Sequence, residues 1–411
     1  MGRHTRITNR GRAAVIAATV GLLWAATPGL GQDRGGKRPV AGLAPAAQLD
    51  AHDRPALAAA DPVDRHLADY ARQLPEMGLL RLYGRRGVDL VRELPALLGE
   101  DARNADYEHD AHSRSTLIDL QMQRIETMVR DGLPSSTLFE TGAGSTFDHP
   151  YLCVITLDTV PFLRDPAHAT RLMLSGSAGY PHGGDDVELI GNEDFLRFTV
   201  DHEVFHCLDA YFNGPPMRRT HDALQSHYQG FVNEARADAF ATRAFMRKQA
   251  PPGRFLMRFA AIRAVSLLDL DLQHWTGEVI RRAADARPEF GAPDLALQVE
   301  AGRALVAEIG PSADRYAGRL ADAARLVESL GGDSGHLLLD IEGQRLPRPD
   351  DAGVAALLHE VRRAQDVLAA ASLPDNRRSP ARSPGVAPAL LQADAPRVPL
   401  DIYYRARNRL E

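Results

Sequence analysis

The sequence predicts an α+β fold that is mainly α-helical, with a small β-sheet among the helices. Apolar residues recur at helical intervals through most of the chain from residue 61 onward, as in STLIDLQMQRIETMV. Strand character is restricted to YLCVITLD at 151–158 and, as a second candidate, RLMLSG at 171–176. A sheet with so few strands needs helices to cover its apolar side chains.

The N-terminal residues have the layout of a secretory signal peptide. Four arginines precede an apolar run at 13–26, and small residues follow up to residue 31. We therefore predict residues 1–31 as a signal peptide and a secreted or periplasmic location, with an uncleaved membrane anchor as the alternative. The apolar run is too short to span a bilayer comfortably, and no later segment approaches the apolar length of a membrane span. The sequence thus predicts no stable membrane span after cleavage.

The charge of the chain excludes a strongly basic surface for nucleic acid. Loss of residues 1–31 removes four arginines and no acids, so the formal net charge changes from −6 to −10. We accordingly predict no nucleic-acid partner. The 380 residues that remain of the 411 are enough for about two domains with a buried core.

Cys153 and Cys207 are the only cysteines of the chain, which excludes a fold built on disulfides. Export would permit one bridge between them. Two buried free thiols that pack as small apolar side chains are the alternative, and they are the simpler account. Both possibilities remain open from the sequence.

Changes of composition divide the rest of the chain into five parts. Residues 32–60 are rich in Ala, Gly and Pro and are predicted to be a flexible linker. We predict an N-terminal helical portion at 61–135, a core that contains the strands at 136–290 and a C-terminal helical portion at 291–372. Residues 373–411 are dense in Pro and Arg and are predicted to be a loose tail.

Capping and turn signals give the bounds of the helices. Asn192 is a suitable N-cap for a helix over 193–212, which the sequence NGPP ends. A second long helix is predicted over 221–249, because the sequence PPG follows it. Further helices are predicted over 254–267, 275–286, 292–309, 312–329 and 351–371. Between the last two, HLLLDIEGQRL is a candidate hairpin or edge strand.

A zinc-binding motif, HExxH, lies in the first of the two long helices, with His202 and His206 at its ends. Residues four apart on a helix differ by about 6 Å of rise and about 40° of rotation, so both imidazoles can bind one zinc ion. Glu203 can then reach a water on that ion and act as general base. Two surface histidines and a solvated glutamate are the alternative. The apolar flanking residues oppose it, because unpaired polar groups are costly among apolar side chains.

A third ligand is needed, because a catalytic zinc ion keeps three protein ligands and one open position. In NEARAD, Glu234 and Asp238 are also four apart on a predicted helix. Glu234 is the candidate ligand, and Asp238 is the candidate acceptor for the other ring nitrogen of a ligating histidine. Two acids on a solvated helix face are the alternative. Asp209 and His227 are reserve ligands.

HExxH on one helix followed by NExxxD on the next resembles the gluzincin metallopeptidases, the thermolysin-like clan and its relatives. The resemblance covers about residues 194–245. It implies a zincin-like catalytic core of a small sheet and two motif helices, and a peptide or protein as substrate. The implied zinc ligands are His202, His206 and Glu234. Glu203 is the implied base and Asp238 the residue that orients a histidine, whereas the substrate-binding edge-strand motif of thermolysin is not recognisable.

His274, in LDLDLQHWTGEVI, is the candidate donor to the oxyanion that develops during hydrolysis. A structural histidine that caps its turn is the alternative. Tyr211 and Tyr228 are weaker candidates and fit core or rim aromatics better. Cys207 lies about 100° around the helix from His206, so it is predicted to point away from the ion.

The sequence therefore predicts a zinc-dependent metallohydrolase that acts as a peptidase. One alternative belongs to another class, a noncatalytic exported binding protein on a zincin scaffold. The other is also an enzyme, a zinc amidohydrolase that acts on a non-peptide amide. Neither the cleavage preference nor the oligomeric state is indicated by a motif.

Overall fold

The computed structural model describes residues 62–106, 114–158, 192–216, 222–248, 254–286, 294–332, 334 and 346–371. Across these residues the fold is α+β and mainly helical with one small mixed sheet, as predicted. The predicted signal peptide, linker, second strand candidate and C-terminal tail lie outside the described residues, as does most of the candidate hairpin at HLLLDIEGQRL.

Ten α-helices and four β-strands occur in the described residues. The N-terminal elements are α1 (Pro62–Gln73), β1 (Met77–Leu82), α2 (Gly84–Leu98), β2 (Arg103–Asn104), α3 (Arg114–Asp131), β3 (Ser135–Glu140) and β4 (Tyr151–Thr156). The later elements are α4 (Asn192–Asn213), α5 (Ala223–Lys248), α6 (Arg254–Val265), α7 (Gly277–Asp285), α8 (Leu295–Ile309), α9 (Ala313–Ser329) and α10 (Asp351–Ala371). None of these helices is long and apolar enough to cross a membrane.

The helices α4 and α5 begin and end within two residues of their predicted bounds. The helix predicted over 254–267 begins as predicted and ends two residues early. There α6 gives way to a short 3₁₀ turn at Ser266–Asp269, and Leu270 follows with a left-handed backbone, φ 57°. A non-glycine residue in this conformation ends a helix and turns the chain.

The sheet has the strand order β1-β4-β3-β2. β1 runs parallel to β4, and β3 is antiparallel to both of its neighbours. Of these strands the sequence predicted only β4; the expectation that 61–135 is helical was wrong where β1 and β2 lie. β1 is buried on both faces, so its sequence lacks the alternation that marks a half-buried strand.

Helices cover both faces of the sheet. Along β4, Cys153 and Ile155 belong to the core shared with α4, whereas Leu152 and Val154 pack with apolar residues of α2 and α3. This division follows from the two-residue period of a strand. On β3 the same period directs Ser136 to the face covered by α4.

α4 is surrounded by other elements. The sheet, α1, α5 and α8 all pack against it. Val204, Phe205 and Leu208 are 0% exposed. Because water reaches little of this helix, its polar side chains must find their partners inside the protein.

A disulfide bond joins Cys153 on β4 to Cys207 on α4, with the two Cα atoms 5.8 Å apart. The sequence favoured two free thiols, and that expectation was wrong. The cysteines are 54 residues apart in the chain, so only the packing of α4 on the sheet brings them together. The bond directs Cys207 toward the sheet, in agreement with the prediction that it points away from the ligand group.

Candidate metal centre

Three side chains that the sequence indicates as zinc ligands converge where α4 and α5 pack together. Nε2 of His202 lies 3.3 Å from Nε2 of His206 and 3.0 Å from Oε2 of Glu234. Oε1 of Glu234 lies 3.7 Å from Nε2 of His206. The candidate ligand atoms are all within 4.8 Å of one another, and no second group of this kind occurs among the described residues.

The spacing of these atoms fits a tetrahedral zinc ion. Ligand atoms about 2.0–2.2 Å from one such ion are about 3.3–3.6 Å from one another. The separations of 3.0, 3.3 and 3.7 Å lie around this range. Oε2 of Glu234 is also buried and has no well-formed hydrogen bond, although it faces His202. Two imidazoles and a carboxylate are therefore arranged as ligands that a divalent cation would satisfy.

Asp238, one helical turn after Glu234 on α5, contacts one of the imidazoles. Its Oδ1 is 2.8 Å from Nδ1 of His202. Nδ1 therefore carries a hydrogen, and Nε2 is directed at the other candidate ligands. Asp238 is fully buried, and both Thr276 and Arg263 contact its carboxylate. This is the contact that the sequence predicts for Asp238.

His206 has a different neighbour, Asn233. The Asn233 side chain raises the pKa of His206 as a hydrogen-bond partner, although burial, the larger effect, lowers that pKa. Nδ1 of His206 and Oδ1 of Asn233 are both buried without a well-formed hydrogen bond among the described residues. The side-chain oxygen of an asparagine is a group that can accept from the second nitrogen of a ligating imidazole.

Glu203 lies on the sheet side of α4 and is not a member of the three-residue group. Oγ of Ser136 on β3 donates a hydrogen bond to its Oε2 at 2.9 Å. Glu203 is only 7% exposed, and its charge is close enough to raise the pKa of His206. A buried carboxylate next to the candidate ligands, held by a hydroxyl group, is well placed to accept a proton.

His274 lies at the rim of the centre, with its side chain 37% exposed. Its Nε2 is 3.3 Å from Oε2 of Glu234, and its Nδ1 is 2.8 Å from Oδ2 of Asp271. Burial lowers the pKa of His274, but the charges of Asp271 and Glu234 outweigh this effect and raise it to about 10. Asp271 also accepts the backbone N–H of His274. His274 thus takes part in a capped turn and also faces the candidate ligands.

Carboxylates control the protonation of the buried imidazole His202. Burial lowers the pKa of His202, but Asp238 and Glu234 outweigh it and raise the pKa to about 10. Burial raises the pKa of Glu234, but the charge of His274 and the nearby ring of His202 hold it well below its usual value. A cation that binds here would displace a proton from His202.

Four weaker candidates from the sequence do not join this group: Asp209, His227, Tyr211 and Tyr228. Each has a partner elsewhere, namely Arg303 for Asp209, Tyr316 for His227, Glu76 for Tyr211 and the carbonyl of Pro311 for Tyr228. The reserve ligands are therefore engaged in contacts between helices.

The sequence did not indicate four residues that contact the centre: Ser136, Asn233, Asp271 and Thr276. Asn233 and Asp271 had a local signal, because one belongs to NExxxD and the other lies three residues before His274. Ser136 and Thr276 had none. Their partners are distant in sequence and become neighbours only through packing.

Comparison of the chain with protein-family models, with curated proteins and with solved structures found no match in any of the three. Function is therefore inferred from the residues and geometry of the site.

Proposed function

We propose that this protein is a zinc-dependent hydrolase with a zincin-like core that cleaves peptide bonds. The observation that carries the proposal is the convergence of His202, His206 and Glu234 from two packed helices, beside the buried carboxylate of Glu203. Three protein ligands leave an open position on a tetrahedral zinc ion, which distinguishes catalytic from structural zinc sites. The same residues carry the resemblance to the gluzincin peptidases.

His202, His206 and Glu234 are the residues that would hold the ion. When bound, zinc supplies a Lewis acid for the substrate carbonyl and lowers the pKa of water to about 7. Asp238 accepts the hydrogen of Nδ1 and so keeps Nε2 of His202 available as a ligand. Asn233 is placed to do the same for His206.

Glu203 is the proposed general base. It takes a proton from the attacking water and delivers it to the leaving amine. The hydrogen bond from Ser136 holds one carboxylate oxygen and limits the rotation of the group. Because Glu203 is buried, its charge acts on nearby atoms with little screening by bulk water.

His274 is the proposed donor to the developing oxyanion. Asp271 accepts from Nδ1, so the ring is oriented with Nε2 toward the centre. The charge of Asp271 raises the pKa of His274 and so favours the protonated ring. A charged donor fixed next to the reacting carbonyl stabilises negative charge that forms there.

The edge of β3 supports a peptide as the substrate. β2 and Ala105 pair with Leu138–Glu140. The preceding part of β3 has no strand on that side within the described residues. An extended peptide can add to such an edge through backbone hydrogen bonds. Ser136 brings this edge next to Glu203.

We also propose that the protein is exported, as the N-terminal sequence predicts. The disulfide between Cys153 and Cys207 supports this location. Such bonds form and persist in oxidising compartments and are rare in the reducing cytosol.

The test compares wild type with Glu203→Gln and Glu234→Ala on the same preparations. Wild type should contain zinc and hydrolyse members of a broad peptide library. Glu203→Gln should retain zinc and fold but lose hydrolysis by about 10²–10⁴-fold or more, because only the base is removed. Glu234→Ala should lose metal and activity together, because a ligand is removed.

Each alternative has its own outcome. Full activity of Glu203→Gln would reject Glu203 as the base. Turnover of non-peptide amides alone would identify an amidohydrolase. A zinc-containing wild type that hydrolyses neither class would identify a noncatalytic binding protein, and a wild type that binds no zinc would reject the metal centre.

A further inference from the structure

The segment 270–276, which we name the docking segment, runs along α5 beside the proposed metal centre. Its contacts with α5 are Gln273 at Gly230, His274 at Glu234 and Thr276 at Asp238. The three α5 residues are spaced by one helical turn and share one face. The docking segment therefore touches a proposed zinc ligand and, one turn later, the aspartate that orients another.

The carboxylate of Asp238 has separate partners on its two oxygens. Oγ1 of Thr276 donates to Oδ2, whereas Nδ1 of His202 lies at Oδ1. Arg263 contacts both oxygens, with Nε 3.2 Å from Oδ2 and Nη2 3.5 Å from Oδ1. Asp238 is 0% exposed and Thr276 is 1% exposed, so bulk water cannot replace these contacts.

Rotation of this carboxylate would misalign its contact with His202. The last torsion of an aspartate side chain has a broad preference, so the backbone alone does not fix the plane of the group. Arg263 holds the carboxylate only weakly, because its Nη2 contact is 3.5 Å long and its Nε has no well-formed hydrogen bond among the described residues. Of the two carboxylate oxygens, the Thr276 hydroxyl contacts only Oδ2 and leaves Oδ1 directed at His202; the longer contact of the hydroxyl, 3.3 Å, is with the carbonyl of His274.

The opposite side of the docking segment is also held. Trp275 is 4% exposed, and its Nε1 donates to Glu360 on α10 at 3.2 Å. The guanidinium of Arg319 on α9 lies 3.7 Å from the centre of the Trp275 ring. Such a cation–π contact is stabilising. His274 and Thr276 therefore face α5 from a segment that α9 and α10 fix from outside.

We propose that Thr276 is a positioning residue of the metal centre, whose hydroxyl fixes the carboxylate of Asp238 and through it the ring of His202. The proposal rests on the zinc site proposed above. Thr276 follows His274 by two residues in the same segment. Its bond to Asp238 thus also ties the position of the proposed oxyanion donor to that of a ligand.

The test uses four variants of the full chain. Thr276→Val removes the hydroxyl and keeps the shape, and Thr276→Ala removes it without a replacement methyl group. Thr276→Ser keeps the hydroxyl. Thr242→Val is the matched control, because Thr242 is 0% exposed, lies one turn after Asp238 on α5 and has a hydroxyl without a hydrogen-bond partner among the described residues.

Two measurements are made on each variant. The first is the zinc dissociation constant from competition with a chelator. The second is the Nδ1–H proton resonance of His202, which is assigned by its loss in His202→Gln. Thr276→Val and Thr276→Ala should weaken zinc binding about tenfold and shift this resonance. Thr276→Ser and Thr242→Val should resemble wild type in both.

Unchanged zinc affinity and resonance in Thr276→Val and Thr276→Ala would overturn the proposal, and so would an equal change in Thr242→Val. A wild type that binds zinc but cleaves no peptide would reject the proposed peptidase and leave the role of Thr276 intact. In a wild type that binds no zinc, the resonance decides alone: a shift on loss of the hydroxyl supports the role, and no shift rejects it.

Discussion

Two buried pairs of aspartate and histidine involve successive residues of α4, Asp201 and His202. Asp201 accepts from Nε2 of His66 at 2.5 Å and from the hydroxyl of Tyr70 at 2.6 Å, both on α1. His202 pairs with Asp238 of α5 at 2.8 Å. Successive helical residues are about 100° apart, so the two pairs face different neighbours.

The two pairs differ in whether a nitrogen or oxygen atom of the pair is still available to bind a metal ion. His202 keeps Nε2, which faces His206 and Glu234. At Asp201, one oxygen accepts from both α1 side chains, and no metal-binding group of His, Cys, Asp or Glu forms there among the described residues. A buried aspartate–histidine pair therefore indicates a clamp between helices unless the second ring nitrogen meets further ligands.

A large effect on stability is expected from Asp201→Ala. The change removes the shared acceptor of His66 and Tyr70, and such a loss costs about 1–3 kcal/mol of unfolding free energy for each buried donor. Urea denaturation of zinc-loaded protein measures this loss. Zinc affinity of the folded variant should be unchanged. If it falls as far as in Asp238→Ala, the two pairs are not functionally distinct.

Removal of the disulfide by Cys153→Ala with Cys207→Ala should lower the unfolding free energy by about 2–4 kcal/mol. The bond closes a long loop between β4 and α4, and its loss frees the unfolded chain. Zinc should be retained, because the proposed ligands all lie on α4 and α5. Wild type in a reducing agent is the control and should unfold at a similarly lower urea concentration. If the double variant loses zinc but keeps its unfolding free energy, the disulfide supports the metal centre and does not stabilise the fold.

Asp238→Ala also leaves buried donors without their acceptor, so it should lower the unfolding free energy as well. Its zinc binding should weaken by about 10–100-fold. The reason is that His202 loses the acceptor that orients its ring. Chelator competition measures the effect, with Asp201→Ala as the matched control. An unchanged dissociation constant would assign Asp238 to the same clamping role as Asp201.

The two motif helices could be predicted from sequence because local signals agree there. α4 begins at Asn192, the predicted N-cap, and a run of Gly and Pro follows the helix, while both zinc motifs have helical spacing. β1 and β3 could not be predicted. β1 is a short apolar run buried on both faces, and the sheet extends across the expected boundary at residue 135, which no change of composition reveals.

The candidate ligands could be predicted because the helix itself sets the four-residue spacing of His202 and His206. Contacts between residues that are distant in sequence leave no comparable spacing pattern in the sequence. Ser136 is 67 residues from Glu203, and Thr276 is 38 residues from Asp238. The disulfide belongs to the same class, because its formation depends on how α4 packs against β4.

The order of elements along the chain has a consequence for how the protein folds. All four strands of the described sheet end by Thr156, before the first proposed ligand at His202. A chain that emerges from its N-terminus can therefore complete the sheet with α2 and α3 before α4 is available. The slow step is then the pairing of β1 with β4, because this parallel contact closes a long loop. Pulse-labelled hydrogen exchange should show that the amides of β4 become protected before those of α4. The reverse order would show that the sheet does not form before the helices that carry the proposed ligands.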